Sequence, residues 1–323
     1  MRVLLIGGAG YIGSHIAESL IVSGLRPVVL DNLSTGIRSR IGSESIFVEG
    51  DARNSHLVSQ ICLEYDINAI VHLAALKSAR ESVDRPYTYW RTNLDLLFGV
   101  LEGMRHSNVK KFILSSSCSI FGEYIQKEDV FSNSPQSPYA RTKYSIELAL
   151  EDISKELNFS FGILRYFNAV GCSNFHMACD IAQDSVLPSF FKSILEFNKV
   201  AIYGENLPTK DGTPVRDYID VRDVAYAHVK ALNSLDTFST ENLVWNVSTG
   251  IPRSVLEVAD FVSKVHPRKF KIEFLDSRHG DPIEIWAKPS PSLISTGWLP
   301  RYVIEESIQS QYEVMKRDFF NFI

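Results

Sequence analysis

Tyr139 and Lys143 stand four residues apart, a short distance downstream of Ser115, Ser116 and Ser117. On a helix, positions i and i+4 share one face, so the phenol and the ammonium can meet the same ligand. An ammonium about 4 Å from a phenol, at an effective dielectric constant near 20, is worth roughly 4 kcal/mol, or about three pKa units, although burial opposes that shift. We therefore expect Lys143 to bring the pKa of Tyr139 toward neutrality for acid–base catalysis, with Ser117 as the hydroxyl partner.

A Tyr-x-x-x-Lys spacing alone is a weak signal, because a half-buried tyrosine beside a solvated lysine is common. A glycine-rich loop makes this one more specific. Gly7, Gly10 and Gly13 follow the first apolar run and precede a helical pattern. Glycine permits a tight turn and lets the backbone approach a pyrophosphate at the positive end of a helix. The loop predicts a dinucleotide site.

Two acidic residues help to define that dinucleotide. Asp31 ends the second predicted strand, where a carboxylate suits the hydroxyls of an adenosine ribose and repels a 2′-phosphate. We therefore predict NAD rather than NADP, with Arg38 and Arg40 as a weak indication of the opposite. Asp51 follows the third strand and is interpreted either as an adenine contact or as a loop cap.

The elements that must position these residues alternate in type. Short β-branched runs and longer helical patterns succeed one another, which predicts an α/β fold with a doubly wound, Rossmann-type parallel sheet. The predicted strands are Arg2–Ile6, 27–30, 45–48, Ala69–His72, 111–115 and 161–164, and the predicted helices are 12–23, Ser55–Glu64, 87–107 and 137–157.

The pattern loosens after Asn168, so we expect two domains. Residues 1–170 would bind NAD, and residues 171–323 would form a smaller C-terminal α/β substrate-binding domain, with 217–247 packing back on the first. The helices predicted at 87–107 and 137–157 are apolar on more than one face. This pattern favours a homodimer built on these helices, the alternative being a monomer in which each is deeply buried.

Composition narrows the possible partners. The chain has 323 residues, 45% of them hydrophobic, and a formal net charge of -5. This gives no electrostatic reason to expect nucleic acid or an anionic membrane as a partner. No apolar run approaches the roughly 18 residues of a membrane span. Four cysteines do not make a disulfide framework, so we expect a cytoplasmic protein.

The whole chain resembles the extended short-chain dehydrogenase/reductase superfamily and, within it, the family of UDP-galactose (UDP-glucose) 4-epimerases. The segments that carry the resemblance are 7–13, 31–36, 47–51, 71–77, 81–83, 115–117, 137–139, 165–168, 211–218 and 278–281.

The resemblance implies a reversible 4-epimerisation of a UDP-hexose. In that reaction the sugar is transiently oxidised at C4 by bound NAD, and the hydride returns to the opposite face of a 4-keto intermediate. Tyr139 would take the proton of the 4-hydroxyl, Lys143 would lower the pKa of Tyr139 and hold the nicotinamide ribose, and Ser117 would bind the reacting oxygen.

The implied cofactor-binding residues are Gly7, Gly10, Tyr11, Ile12, Gly13, Asp31, Asn32, Ser34, Thr35, Gly36, Asp51, Ala52, Leu73, Ala74, Ala75, Lys77, Asn93, Ser115, Tyr139, Lys143 and Phe167. The implied ligands of the UDP-sugar are Lys77, Ser117, Tyr139, Asn168, Val186, Arg216, Arg278 and Asp281.

Two positions in the sequence bear on related activities. Sugar-nucleotide 4,6-dehydratases usually carry Thr-Asp-Glu where this chain has Ser117, Cys118 and Ser119, and elimination needs an acid and a base that are absent here. Ile285 occupies the position that sets sugar breadth in the family. Its intermediate size leaves a UDP-N-acetylhexosamine or UDP-pentose substrate open.

A non-catalytic NAD-binding protein and a plain alcohol dehydrogenase are further alternatives. The intact set of Ser117, Tyr139 and Lys143 disfavours the non-catalytic protein.

Cys172, His176 and Cys179 have a spacing that would offer three zinc ligands. No nearby fourth ligand is evident, so we expect no metal site.

Overall fold

A seven-stranded, wholly parallel sheet lies at the centre of the computed structural model, which describes residues 1–122, 133–173, 180, 182, 185–235, 243–278 and 281–319. From one edge to the other its strands are β10 (Leu243–Val247), β6 (Ser160–Tyr166), β5 (Lys111–Ser117), β4 (Ala69–His72), β1 (Arg2–Ile6), β2 (Arg26–Asp31) and β3 (Ile46–Glu49). The strand order reverses between β1 and β4, as in a doubly wound dinucleotide-binding fold. The predicted fold class is confirmed.

Helices cover both faces of this sheet. The helices of the sheet layer are α1 (Tyr11–Val22), α2 (Ser55–Glu64), α3 (Ala79–Asp84), α4 (Pro86–Met104), α5 (Pro138–Leu157) and α7 (Val221–Ser234). Strand β1 shows the division, since its side chains alternate between the faces. Leu5 packs with Ile16 and Val224 of α1 and α7, whereas Leu4 packs with Val58 of α2.

Several predicted elements match the structure within a residue or two, and β1, β4 and α2 have the predicted bounds. Helix α3, in the sheet layer, was not predicted. Helix α3 has only six residues, and it is capped by Ser78, whose hydroxyl accepts a hydrogen bond from the backbone N–H of Glu81 at 3.2 Å. Strand β10 and helix α7 come late in the chain, yet β10 pairs with β6 in parallel and α7 packs against α1.

The remaining elements form a smaller body with its own core. They are β7 (Asn168–Val170), α6 (Val186–Phe197), β8 (Lys199–Tyr203), β9 (Val215–Asp220), β11 (Pro252–Ser254), α8 (Val255–Val265), β12 (Lys271–Leu275), β13 (Glu284–Ile285) and α10 (Ile304–Phe319). The short helix α9 (Pro291–Ser295) packs instead against α7 and β10, and its Leu293 lies in the core of the large sheet. Phe191, Val258 and Tyr312 lie in this core. Because β7 follows β6 directly and pairs with β9, this second body sits at the carboxyl end of the large sheet. None of the described helices has the length and apolar character needed to span a bilayer.

Candidate active site

The glycine loop between β1 and α1 is packed too tightly for side chains. Gly7 has φ +81°, and a Cβ there would lie 2.8 Å from the backbone nitrogen of Ala74. A Cβ on Gly13 would lie 2.6 Å from the Cα of Gly8. Gly10 is the N-cap residue of α1, and no side-chain hydrogen bond caps the helix there. The loop therefore leaves the positive end of α1 accessible to an anion.

Asp31, at the end of β2, is fixed beside this loop. Its Oδ2 accepts from the N–H of Ala9 at 2.9 Å, and its Oδ1 accepts from the N–H of Leu33 at 2.8 Å. A Cβ on Gly36 would come 2.6 Å from Oδ1, so that glycine lets the chain pass close to the carboxylate. The carboxylate has the position that the sequence predicted for binding ribose hydroxyls.

Asp51 acts as the cap of its own loop, and its contact with adenine stays a prediction. Its carboxylate accepts from the backbone N–H of Arg53 at 2.9 Å and pairs with the Arg53 guanidinium at 2.6 Å. This guanidinium holds the pKa of Asp51 at about 2, well below its usual range. Asp51 thus caps its own turn and also lines the cavity described next.

A cavity of about 610 Å³ opens at the carboxyl ends of the strands, over the reversal between β1 and β4. The predicted cofactor-binding residues that line it are Gly7, Gly10, Tyr11, Ile12, Gly13, Asp31, Asn32, Ser34, Thr35, Asp51, Ala52, Leu73, Ala74, Ala75, Lys77, Tyr139 and Lys143. The bare glycine backbone suits a pyrophosphate, and a carboxylate suits a ribose diol, so this set of groups fits an NAD molecule.

Four predicted cofactor-binding residues do not line this cavity: Gly36, Asn93, Ser115 and Phe167. Asn93 is fully buried behind the wall, where its Oδ1 accepts from the N–H of Leu76 at 2.8 Å and its Nδ2 donates to Thr142 at 3.0 Å. It therefore supports the wall instead of contacting the space. Phe167 lines the neighbouring cavity instead.

Ser115 is likewise buried, and its hydroxyl interacts with a helix. Nδ1 of His228 donates to the carbonyl of Val224 at 2.8 Å, so Nε2 is the acceptor for the Ser115 hydroxyl at 2.9 Å. Burial lowers the pKa of His228 to about 4, which keeps this ring neutral. Ser115 thus links β5 to α7 behind the cavity wall.

Tyr139 and Ser117 interact directly at the end of β5. A hydrogen bond from Ser117 favours the phenolate form, but burial is the larger influence and raises the pKa of Tyr139 above its ordinary value. The lowering expected from Lys143 is therefore wrong for the protein without ligands, because desolvation of the phenolate dominates the shift. Lys143 is itself buried. Its Nζ donates to the carbonyl of Ser115 at 2.9 Å, and burial lowers its pKa to about 8.

A second cavity, of about 420 Å³, lies between the end of β5 and the smaller body. All eight residues predicted to bind the UDP-sugar line it: Lys77, Ser117, Tyr139, Asn168, Val186, Arg216, Arg278 and Asp281. Asn168 is held by a bond from its Nδ2 to the carbonyl of Asp217 at 3.0 Å, and the Arg278 guanidinium stacks over the Tyr203 ring at 3.5 Å.

The two cavities share part of their lining. Tyr11, Ile12, Lys77, Tyr139, Tyr166 and Asp180 border both. Lys77 Nζ lies 3.5 Å from Asp180 Oδ1 at this border, and Ser185 donates to the same carboxylate. The catalytic tyrosine predicted from the sequence therefore stands where the two spaces meet.

Sequence reasoning missed several of the lining residues, among them Tyr166, Asp180, Tyr203, Tyr218 and Gln311. Tyr166 follows the predicted strand at 161–164 and was available as a candidate. Asp180 and Gln311 offered no local signal, since long-range packing brings them to the site.

The structure describes only one of the three residues considered as zinc ligands, Cys172, His176 and Cys179. Cys172 is buried, whereas His176 and Cys179 lie outside the described residues. Within the described residues, no group of three or more His, Cys, Asp or Glu side chains is arranged to hold a metal ion.

The parallel sheet, the glycine loop and the joined cavities define a Rossmann-type, dinucleotide-binding α/β protein. The sequence profile of the NAD dependent epimerase/dehydratase family matches residues 3–248. The chain therefore belongs to that family.

Individual relatives agree with this assignment. The chain is 35% identical to a UDP-glucose 4-epimerase of Yersinia pestis over 313 residues, which cover 92% of each chain. Its structure is similar to that of a Stenotrophomonas maltophila UDP-glucose-4-epimerase with bound NAD and formylated UDP-arabinopyranose (TM-score 0.92, 30% identity, 98% of each chain). It is also similar to a Thermus thermophilus UDP-glucose 4-epimerase in complex with NAD (TM-score 0.86, 32% identity, 98% of this chain and 100% of the other).

Proposed function

We propose that this protein catalyses the reversible 4-epimerisation of a UDP-hexose, interconverting UDP-galactose and UDP-glucose with tightly bound NAD. The observation that carries the proposal is the position of Tyr139, which lines both cavities while hydrogen-bonding to Ser117 at their junction. A sugar carbon placed there would face a general base and a dinucleotide at the same time. The whole-chain similarity to UDP-glucose 4-epimerases supports the same reaction.

The chain's own groups would hold NAD in the larger cavity. Backbone N–H groups in the first turn of α1 would bind the pyrophosphate, and Asp31 would accept from the adenosine ribose hydroxyls. Lys143 would donate to the nicotinamide ribose. Bound NAD supplies the acceptor, and then the donor, of the C4 hydride.

Tyr139 would remove the proton of the 4-hydroxyl, and Ser117 would hold the reacting oxygen. Burial raises the pKa of Tyr139 in the chain alone, so ionisation needs added positive charge nearby. An oxidised nicotinamide ring would add that charge to the charge of the Lys143 ammonium when the site is filled. Tyr139 therefore becomes a competent base only in the loaded enzyme, and it returns the proton to the same oxygen at the end of the cycle.

The smaller cavity would anchor the nucleotide while the sugar turns. Arg216 and Arg278 present guanidinium groups that suit a diphosphate, and Asn168 presents an amide fixed by Asp217. Binding energy from the UDP part can thus retain the 4-keto sugar while its ring rotates between two faces.

Conversion of UDP-galactose to UDP-glucose, followed by chromatography, tests this proposal. Tyr139→Phe removes the base and should lower kcat by about 10² to 10⁴-fold. Tyr87→Phe, on an exposed tyrosine of α4, should behave as the unchanged chain. Normal turnover by Tyr139→Phe would disprove the assignment of the base. Release of one NADH per substrate would indicate an alcohol dehydrogenase instead.

A second candidate substrate class has one structural argument in its favour. Ile285 is buried in an apolar cluster that includes Phe167, and Phe167 lines the sugar cavity. A residue of this size leaves room for either a hexose or a modified sugar. Comparing kcat/KM on UDP-N-acetylgalactosamine and a UDP-pentose with that on UDP-galactose decides between the classes.

We further propose that residues 1–170, with 217–247, form the NAD-binding domain and that 171–323 supply the UDP-sugar domain. Limited proteolysis with and without NAD tests this division.

A homodimer through α4 and α5 is proposed because Phe98 and Leu148 on these two neighbouring helices are 48% and 44% exposed. Sedimentation of a Phe98→Glu variant tests it, since a buried charge there should produce monomers.

We also propose a cytoplasmic location, which the free thiols of Cys62 and Cys118 favour. Subcellular fractionation tests it.

A further inference from the structure

A buried carboxylate lies one helical turn beyond Lys143. Glu147 is 2% exposed and Lys143 is 3% exposed, and the two are i and i+4 on α5. An ionised carboxylate in such a place carries a large desolvation penalty unless it is paired and fully hydrogen-bonded. Glu147 meets this condition, since Arg165 donates to its two oxygens at 2.5 and 3.2 Å and Ser116 donates to Oε1 at 2.5 Å.

These bonds join three elements that carry the candidate active site. Glu147 belongs to α5, which bears Tyr139 and Lys143. Ser116 belongs to β5 and stands between Ser115, whose carbonyl accepts from Lys143, and Ser117. Arg165 belongs to β6. The Glu147 carboxylate therefore fixes the position of helix α5 relative to strand β5.

The charge of Glu147 also acts on Lys143. Burial lowers the pKa of Lys143, and Glu147 opposes this effect. The other groups that face Lys143 do not provide a negative charge at neutral pH. His72 of β4 is kept neutral because burial lowers its pKa to about 3, burial raises the pKa of Tyr139 and Tyr166, and Arg165 is cationic.

We propose that Glu147 is a positioning residue for the epimerisation: it holds Lys143 and Ser117 in place through Arg165 and Ser116, and its negative charge stabilises the Lys143 ammonium. This inference rests on the proposed function. It makes Tyr139, Lys143 and Glu147 a functional series along one helical face, of which only the first two line the cofactor cavity.

The test substitutes Glu147→Gln, which keeps the shape and removes the charge. Glu151→Gln is the matched control, since Glu151 is one turn further along α5 and exposed. Titration of Lys143 is followed by NMR in protein carrying 13C-labelled lysine, with the signal assigned by its loss in Lys143→Met. We expect Glu147→Gln to move this titration to lower pH by roughly one unit, allowing for the compensating charge of Arg165, and Glu151→Gln to leave it in place.

The activity profile should move in the same direction. A charged Lys143 is needed for turnover, so activity is lost as pH rises through the pKa of Lys143. The alkaline limb of kcat should therefore shift to lower pH in Glu147→Gln and stay in place in Glu147→Asp, which keeps the charge. An unchanged Lys143 titration, or a loss of kcat with an unmoved alkaline limb, overturns the proposal.

Ser116→Ala covers the case in which Glu147→Gln does not fold. It removes one bond to Glu147 and keeps the charge, so kcat should fall about tenfold while KM for UDP-galactose stays the same. Unchanged kcat would contradict the positioning role. If the unsubstituted protein epimerises no UDP-hexose, the proposed function fails, whereas the NMR titration still decides whether Glu147 controls the charge of Lys143.

Discussion

Replacement of Gly13 by alanine should abolish tight NAD binding with little loss of fold. The new Cβ would lie 2.6 Å from the Cα of Gly8, 2.7 Å from the carbonyl oxygen of Gly7 and 2.8 Å from that of Gly8. Non-bonded carbon atoms pack best at about 3.5–4.0 Å, so backbone must move by about 1 Å. No flexible side chain is available to absorb that movement.

The moved backbone is the part of the loop expected to bind the pyrophosphate. A shift of about 1 Å takes a hydrogen bond out of range, and a bond to a charged group contributes about 1.5–3 kcal/mol. Loss of one or two such bonds, about 3 kcal/mol in all, weakens NAD binding by roughly 100-fold. Isothermal titration calorimetry on protein stripped of nucleotide measures this directly.

Gly24→Ala provides the control for this experiment. Gly24 follows the same helix at its other end, has φ +75°, and has no other atom within 4 Å of an added Cβ. Alanine in this conformation costs about 1–2 kcal/mol of stability, which thermal unfolding will show, but it should leave NAD affinity unchanged. If Gly13→Ala bound NAD within about threefold of the unsubstituted chain, less than 1 kcal/mol, the role given to this loop would be wrong.

Two further predictions concern buried and bridging charges. Burial raises the pKa of Asp223 to about 6, above that of an unfolded aspartate, so protonation stabilises the folded state and stability contributed by this group is lost as pH rises from 4 to 7. Asp223→Asn should remove that trend. The free energy of unfolding of this variant, measured in urea relative to that of the unsubstituted protein, should rise by up to about 3 kcal/mol between pH 4 and pH 7. An equal pH dependence of the unfolding free energy in the two proteins would refute this. Lys77 is 59% exposed in its side chain, so Lys77→Met should change stability by less than about 1 kcal/mol but raise KM for UDP-galactose, unlike Lys110→Met on the surface. An equal KM in the two variants would exclude Lys77 from the site.

Much of the large sheet was predictable because the local sequence pattern of each strand matches the burial of that strand in the folded protein. Strand β1 is buried on both faces and reads as a continuous apolar run, and the glycines after it allow only one kind of turn. The glycine loop, Asp31 and Tyr139 followed from the same logic, since each stands at the end of a recognisable element. Helix α3 was missed because six residues are too few to show a helical period, although Ser78 followed by Glu81 is a recognisable N-terminal cap.

The rest depended on contacts between distant parts of the chain. Asn93 was predicted to touch the cofactor, but its amide is fully used by Leu76 and Thr142 behind the wall. The pKa of Tyr139 was expected to fall, and burial raises it in the chain alone. Asp180 lines both cavities although it belongs to no helix or strand. Neither desolvation nor such long-range placement is encoded in residue spacing.

The edge strand β10 has a consequence for how this molecule is made. Its partner β6 emerges from the ribosome well before it, and residues 167–242 must be synthesised before Leu243–Val247 can close that edge. Until then the side of β6 that Trp245 will shield remains open to other nascent chains. Ribosome-bound chains that stop before residue 243 should accordingly recruit chaperones, and those that extend well past residue 247 should release them.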